Sequence, residues 1–203
     1  MRSYSITSAV VLVSLFSAIA RANIIYGPVV DPSNDQSYYV TSAETWTLAQ
    51  ADAQSIGGNL ATIHNAAENA WINSTFIANL TSSGGPNLSS AQLWFGFYDP
   101  KINDGSGATH AADFQWADGE PVIYTNWNPM EPNNNLGDEY YAVLNYYHDG
   151  TWNDVPLDGF GTVPYGIVEV PEPASATLIA CGCALLLMRG TRRRAAAAAT
   201  SRA

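Results

Sequence analysis

Five oxygen-bearing side chains in the second half of the chain are spaced in a way that suits a hard cation: Glu131, Asn133, Glu139, Asn153 and Asp154. They offer three carboxylates and two amides. Calcium takes about six to eight oxygen ligands from such groups. None of the five is soft, so zinc and copper fit poorly. Glu131 and Asn133 stand at i and i+2, which places them on one side of an extended backbone. Pro132 lies between them, and a cis Glu131-Pro132 bond suits a purposeful tight turn. Five side chains and one backbone carbonyl leave coordination positions open. Neighbouring sugar hydroxyls can fill these, while the Glu and Asn groups exchange hydrogen bonds with the same hydroxyls. That is a way to hold a vicinal diol through a metal. Taken singly, Glu-Pro-Asn and Trp-Asn-Asp are ordinary turn sequences. Their order and spacing carry the reading.

Catalytic chemistry finds less support. His64, His110 and His148 are far apart and form no His-Glu-x-x-His pair; each reads as a surface or capping residue. Asp138-Glu139 is a carboxylate pair in the sense of glycoside hydrolysis, which needs carboxyls about 5–10 Å apart. Adjacent strand residues point to opposite faces, which argues against it. No Gly-x-Ser-x-Gly elbow is present. The chain is therefore expected not to be an enzyme. The six tryptophans read mostly as core, with Trp127 either a wall of the site or, better, a core residue.

Charge narrows the class further. Of the 203 residues 47% are hydrophobic, enough for a sizeable core, and only 13% are charged. Residues 23–170 hold seventeen acids against one base, Lys101. Such a surface repels phosphate backbones and anionic lipid, which excludes nucleic-acid partners. It suits cation binding or simple solvation.

The two ends read as addresses. Residues 1–22 have a basic start at Arg2, an apolar run from Ala9 to Ala20 and the small-x-small site Ala20-Arg21-Ala22. They are expected to be a secretory signal peptide; an uncleaved anchor is the alternative, but the run is short for one. At the other end Pro171-Glu172-Pro173 precedes an apolar run from Ala174 to Met188, and Arg189 and Arg192-Arg193-Arg194 follow. This order resembles the PEP-CTERM sorting signal of Gram-negative bacteria. The resemblance implies transient membrane retention, removal by an exosortase, and release to the cell envelope or extracellular matrix. An ordinary C-terminal anchor is the alternative. Both cysteines, Cys181 and Cys183, fall inside that run, so the exported domain has no disulfide.

The organisation expected is a signal peptide at 1–22, a lead-in at 23–36, one domain at 37–170, a sorting segment at 171–194 and a disordered tail at 195–203. Within the domain a strand is expected at Tyr38-Tyr39-Val40. Thr41 or Ser42 then caps a helix over 43–56, with Trp46, Ala49, Ala53 and Ile56 recurring on one face. Gly57-Gly58 ends it. A short strand follows at 59–63. Asn65 caps a second helix over 66–80, with Ala70, Trp71, Phe76, Ile77 and Leu80 as its inner face. Strands are expected at 93–97, 114–116, 140–147 and 165–170. Residues 99–112 form a polar insert, and 121–137 show no period, as functional loops often do. Two helices followed by short strands give an α+β class, with the first and last strands able to pair.

With these elements in place, residues 37–170 resemble the C-type lectin-like domain family. The resemblance rests on Trp46, Ala49 and Ala53, on Gly58 to Ile63, on Trp94-Phe95-Gly96-Phe97, and on Phe114-Gln115-Trp116 with Asp118-Gly119. It continues through Tyr124 to Trp127, Glu131-Pro132-Asn133 and Trp152-Asn153-Asp154. It implies an α+β fold of two helices, short antiparallel sheets and a long calcium-binding loop. It makes Glu131, Asn133, Glu139, Asn153 and Asp154 ligands of the principal calcium, with Glu131, Asn133, Glu139 and Asn153 also contacting sugar. The Glu-Pro-Asn order implies mannose-type sugars, hence a glycan or polysaccharide partner. The family's cysteines are absent, with Tyr141 or Tyr140 in one of their places. An auxiliary calcium site looks incomplete at Asn134 and Tyr140. The alternative function is a protein-binding or matrix-structural domain in which calcium only orders the loop.

Overall fold

The computed structural model describes residues 22–78, 81, 84–101 and 111–171. The proposed signal peptide to Arg21, His110, most of the polar insert, Leu80 and everything from Glu172 onward lie outside the described residues. Among the described residues no helix is long and apolar enough to cross a membrane.

Strand β1 (Ile24–Val30) is followed by β2 (Ser37–Ala43), helix α1 (Trp46–Ser55), the short β3 (Asn59–Leu60) and helix α2 (Ala66–Ile72), which runs on as a π-helical turn (Asn73–Ala78). Then come β4 (Leu93–Tyr98), β5 (Gln115–Trp116), a 3-10 turn (Asn135–Gly137), β6 (Tyr141–Leu144), β7 (Trp152–Val155) and β8 (Tyr165–Val170). The α+β class holds. The strands form one sheet in the order β1-β2-β8-β4-β6-β7, with β3 on β8 and β5 on β4. Among the described strands every pairing is antiparallel except β4 with β8, where Leu93 faces Tyr165. The expected separate antiparallel sheets are thus joined through one parallel contact. β2 and β8 do pair, Tyr39 opposite Val168.

The lead-in proves to be structured. Residues 24–30 add an edge strand to β2, with Ile24 opposite Thr41 and Val29 opposite Tyr38. Gly27 and Pro28 sit at the register shift between Tyr26 and Val29, where a strand tolerates them.

α1 starts later than expected. Its N-cap is Thr45, because Thr41 and Ser42 are held in β2. Trp46, Ala49 and Ala53 face inward against Leu60, Trp94, Val143 and Val168. The Trp46 indole donates to the Phe95 carbonyl at 2.9 Å, tying α1 to the middle of β4. Asn65 caps α2 as expected, its Oδ1 accepting the Glu68 N–H at 3.0 Å. The inner face of α2 differs: Glu68, Asn69 and Ile72 are buried, while Ala70 is exposed and Trp71 only partly covered. Polar side chains go inside where partners meet them. Glu68 accepts the Tyr38 hydroxyl at 3.1 Å, and Asn69 accepts the Trp152 indole N–H at 2.7 Å. Phe76 and Ile77 are buried as expected.

β6 is shorter than the aromatic run suggests. Asn145 has φ 69, and its left-handed backbone ends the strand after Leu144. Tyr146 and Tyr147 therefore leave the sheet.

Candidate functional site

β7 is the fixed side of the site. It pairs with β6, Asn153 opposite Val143 and Asp154 opposite Ala142, and its first residue, Trp152, is fully buried. Trp152 packs on Phe95, with ring centroids 4.9 Å apart, and on Trp127 at 5.9 Å. Trp127 also stands 4.9 Å from Phe114, so it belongs to the core under the long loop. That loop is stitched to β7 by backbone: Trp152 donates to the Asn126 carbonyl and Asn128 to the Trp152 carbonyl, both at 2.9 Å. The irregular segment 121–137 is thereby held without a regular element of its own, apart from the 3-10 turn.

The predicted residues meet where this loop returns. Asp154, wholly buried, accepts the backbone N–H of Asn133 at 3.0 Å and of Asn134 at 2.9 Å. Glu139, 2% exposed, accepts the N–H of Asn135 and gives its own N–H to Asn134 Oδ1 at 3.0 Å. Glu131 is half-buried, and the Glu131-Pro132 bond is cis. Asn153 is buried beside Asp154, whereas the side chain of Asn133 reaches solvent.

The electrostatics follow from this crowding. Burial and then the charge of Asp154 push the Glu139 carboxyl up to about 8. Burial raises Glu131, with Asp154 adding to it. Burial raises Asp154 as well, against the pull of the two amides it accepts. Three acids therefore share a low-dielectric corner. The one base of the domain, Lys101, is engaged at 2.6 Å with Asp113 elsewhere. Two buried oxygens of the predicted set, Glu131 Oε2 and Asn153 Oδ1, have no hydrogen-bond partner. Orphaned buried oxygens are costly and rare. Hard oxygen donors, excess negative charge and unpartnered lone pairs fit a calcium ion. Among the described residues, however, no group of three or more His, Cys, Asp or Glu is gathered into a ready cage. Asp154 and Glu139 spend oxygens on loop amides, which holds the carboxylates in loop-ordering positions.

Two participants have no role in the site as the sequence predicts it: Asn134, named only at an incomplete auxiliary site, and Tyr147. Asn134 is buried with φ 47, and its side chain closes the turn onto Glu139. Tyr147, 43% exposed, donates its hydroxyl to Glu131 Oε1 at 2.7 Å. That bond and burial raise the Tyr147 phenol. Nothing in the run from Tyr140 to Tyr147 distinguishes this tyrosine from a strand residue until Asn145 turns the chain. Of the two tyrosines considered for a lost cysteine's place, Tyr141 is the packed one, 5.2 Å from Trp46 and 6.3 Å from Trp94 between ring centroids. Tyr140 instead donates to the Gly137 carbonyl. His64 is outside the site, bridging Glu68 at 3.1 Å and Glu120 at 2.6 Å.

Residues 42–158 match the family described as the lectin C-type domain, more than half of the chain. The chain belongs to the C-type lectin domain family. Ladderlectin of Oncorhynchus mykiss is 30% identical over 131 residues, which are 64% of this chain and 60% of that protein. The match thus spans about three fifths of that relative's length. C-type lectin CEL-I of Cucumaria echinata superposes with a TM-score of 0.53 at 24% identity, covering 66% of this chain and 89% of that one. A calcium-independent type II antifreeze protein superposes with a TM-score of 0.51 at 24% identity, covering 74% and 92%. These two likenesses establish the fold. In this C-type lectin domain the cluster of Glu131, Glu139, Asn153 and Asp154 stands at the junction of the long loop with β6 and β7.

Proposed function

We propose that the chain is a secreted, calcium-dependent carbohydrate-binding module of mannose type. The observation that carries this reading is the pair of buried, unpartnered oxygens, Glu131 Oε2 and Asn153 Oδ1, in a corner shared by three acids. Glu131, Asn133, Glu139, Asn153 and Asp154 are the ligands proposed for the ion. Bound calcium supplies open coordination positions to two neighbouring sugar hydroxyls. Glu131 and Glu139 accept hydrogen bonds from those hydroxyls, and the amides of Asn133 and Asn153 donate to them. Asp154 keeps the loop in register by holding the amides of Asn133 and Asn134.

The ends belong to the same proposal. Residues 1–22 direct export, 171–194 hold the protein at the membrane until an exosortase-type enzyme removes them, and 195–203 are a tail. The domain then resides in the cell envelope or matrix.

A second reading is a protein-binding or matrix-structural domain whose calcium only orders the loop. The loop amides already satisfied by Asp154 and Glu139 favour it, as does the likeness to a calcium-independent antifreeze protein. Retention on a mannose resin with calcium and with chelator separates the two. Elution by chelator supports the lectin reading, and equal retention in both buffers sinks it. Calcium-dependent melting with no retention on any glycan favours the second.

A further inference from the structure

Three aromatic rings run outward from Glu131. Tyr147 is anchored to Glu131 Oε1 at 2.7 Å. Its ring meets Tyr146 edge-on, with centroids 4.9 Å apart, and Tyr146 meets Phe160 at 6.5 Å. Tyr146 is partly buried against the core, while Tyr147 and Phe160 are 43% and 42% exposed.

Phe160 is the unusual member. It has φ 59 and sits between Gly159 and Gly161, at φ 64 and 78. Glycine adopts that region freely, but a side-chain-bearing residue does so at a cost in free energy. Burial offsets the cost only in part, because Phe160 stays 42% exposed. An apolar ring kept partly outward from such a backbone is available for a contact made from outside.

The chemistry of the row selects its occupant. Aromatic faces suit the C–H face of a pyranose ring, and the exposed Asp158 beside Phe160 can accept hydroxyls. The acidic domain with its single base disfavours anionic polymers. The near end of the row touches Glu131, which fixes where the occupant must begin.

We propose that Tyr147, Tyr146 and Phe160 form a second sugar subsite, in which the next residue of a neutral oligosaccharide stacks beside the unit held at Glu131. This rests on the glycan reading above.

Calorimetric titration of the calcium-loaded protein with methyl α-mannoside and with α-mannotriose tests it. The trisaccharide should bind about three- to tenfold more tightly. The ratio of the two affinities should fall at least threefold in Phe160→Ala and persist in Phe160→Tyr, which keeps a ring. Calcium-loaded melting of each variant checks that it is folded before the titrations are compared. If the monosaccharide binds but the ratio is near one, or is the same in Phe160→Ala, the second subsite is overturned while the first stands. If neither sugar binds, both fall together.

Discussion

The carboxylate of Asp154 holds Asn134 by its backbone, accepting that N–H through Oδ2 at 2.9 Å while Oδ1 takes the preceding amide at 3.0 Å. One side chain of β7 thereby sets two consecutive residues of the long loop. Asp154→Ala leaves both amides without this acceptor, and the amide of Asn134 is buried. The expected cost is about 2–4 kcal/mol. Urea denaturation in the presence of chelator reads it without any contribution from calcium. A loss below about 0.5 kcal/mol, the size of an ordinary surface change, would show that the loop does not depend on this contact.

Calcium should stabilise the folded domain by mass action. At a concentration one hundred times the dissociation constant the gain is about 2.7 kcal/mol. For a domain of this size that raises Tm by roughly 5–10 °C. Asn153→Ala and Glu131→Ala each remove an oxygen that is buried without a partner, so each should abolish most of the calcium-dependent rise. In chelator Asn153→Ala should melt much as the natural protein does, because its Oδ1 accepts no hydrogen bond, whereas Glu131→Ala also loses the exposed Tyr147 hydrogen bond at Oε1 and should lose about 1 kcal/mol with it. A calcium shift in Asn153→Ala as large as in the natural protein would place the ion elsewhere.

The sequence disclosed this site to different depths. The order Glu131, Asn133, Glu139, Asn153, Asp154 was legible because carboxylates and amides at those spacings have few structural uses together. Which oxygens stay free was not legible, since that depends on loop amides that fold back onto Asp154 and Glu139. Tyr147 was hidden by composition: it ends a run of apolar and aromatic residues, and only the left-handed turn at Asn145 frees it from the strand. The edge strand 24–30 lies in the segment expected only as a lead-in, and its strand character comes from long-range pairing with β2, which local sequence does not encode. The inner face of α2 was misread for a similar reason. Apolar periodicity favoured Ala70 and Trp71, but Glu68 and Asn69 find buried partners in Tyr38 and Trp152.

Glu169 gives the fold its own pH dependence, away from the proposed metal site. It lies on β8, 8% exposed, and its Oε2 accepts the Thr62 N–H at 3.0 Å. Burial first, and then the charge of Glu68, raises its carboxyl to about 7. A carboxyl raised by folding contributes stability that is present below its unfolded value, near 4.5, and lost as pH climbs through about 7. Glu169→Gln keeps an oxygen for Thr62 and removes the buried charge. The variant should match the natural protein near pH 4.5 and exceed it at pH 8 by up to about 3 kcal/mol. Chemical denaturation across that range, in chelator, measures the difference. Parallel curves for the two proteins would mean that Glu169 folds no less readily as an anion.

Gly96, in the Trp94-Phe95-Gly96-Phe97 run of β4, is fixed by a close approach of backbone. A Cβ there would lie 2.5 Å from the Leu60 carbonyl oxygen and 3.3 Å from that of Ala61. Neither oxygen belongs to a flexible side chain, and Gly96 N–H itself bonds to the Ala61 carbonyl at 2.8 Å. Gly96→Ala must therefore push β3 off β4, or break that bond, in the middle of the sheet that carries the site. The cost should be about 3 kcal/mol or more, at the upper end of overpacking effects. Gly57→Ala is the informative comparison. Gly57 has φ 88 and nothing within 4 Å of its added Cβ, so only the backbone penalty of about 1–2 kcal/mol applies. Urea unfolding should rank Gly96→Ala well below Gly57→Ala in stability. The reverse order would show that the sheet yields at β4 and that the close approach is not what selects glycine there.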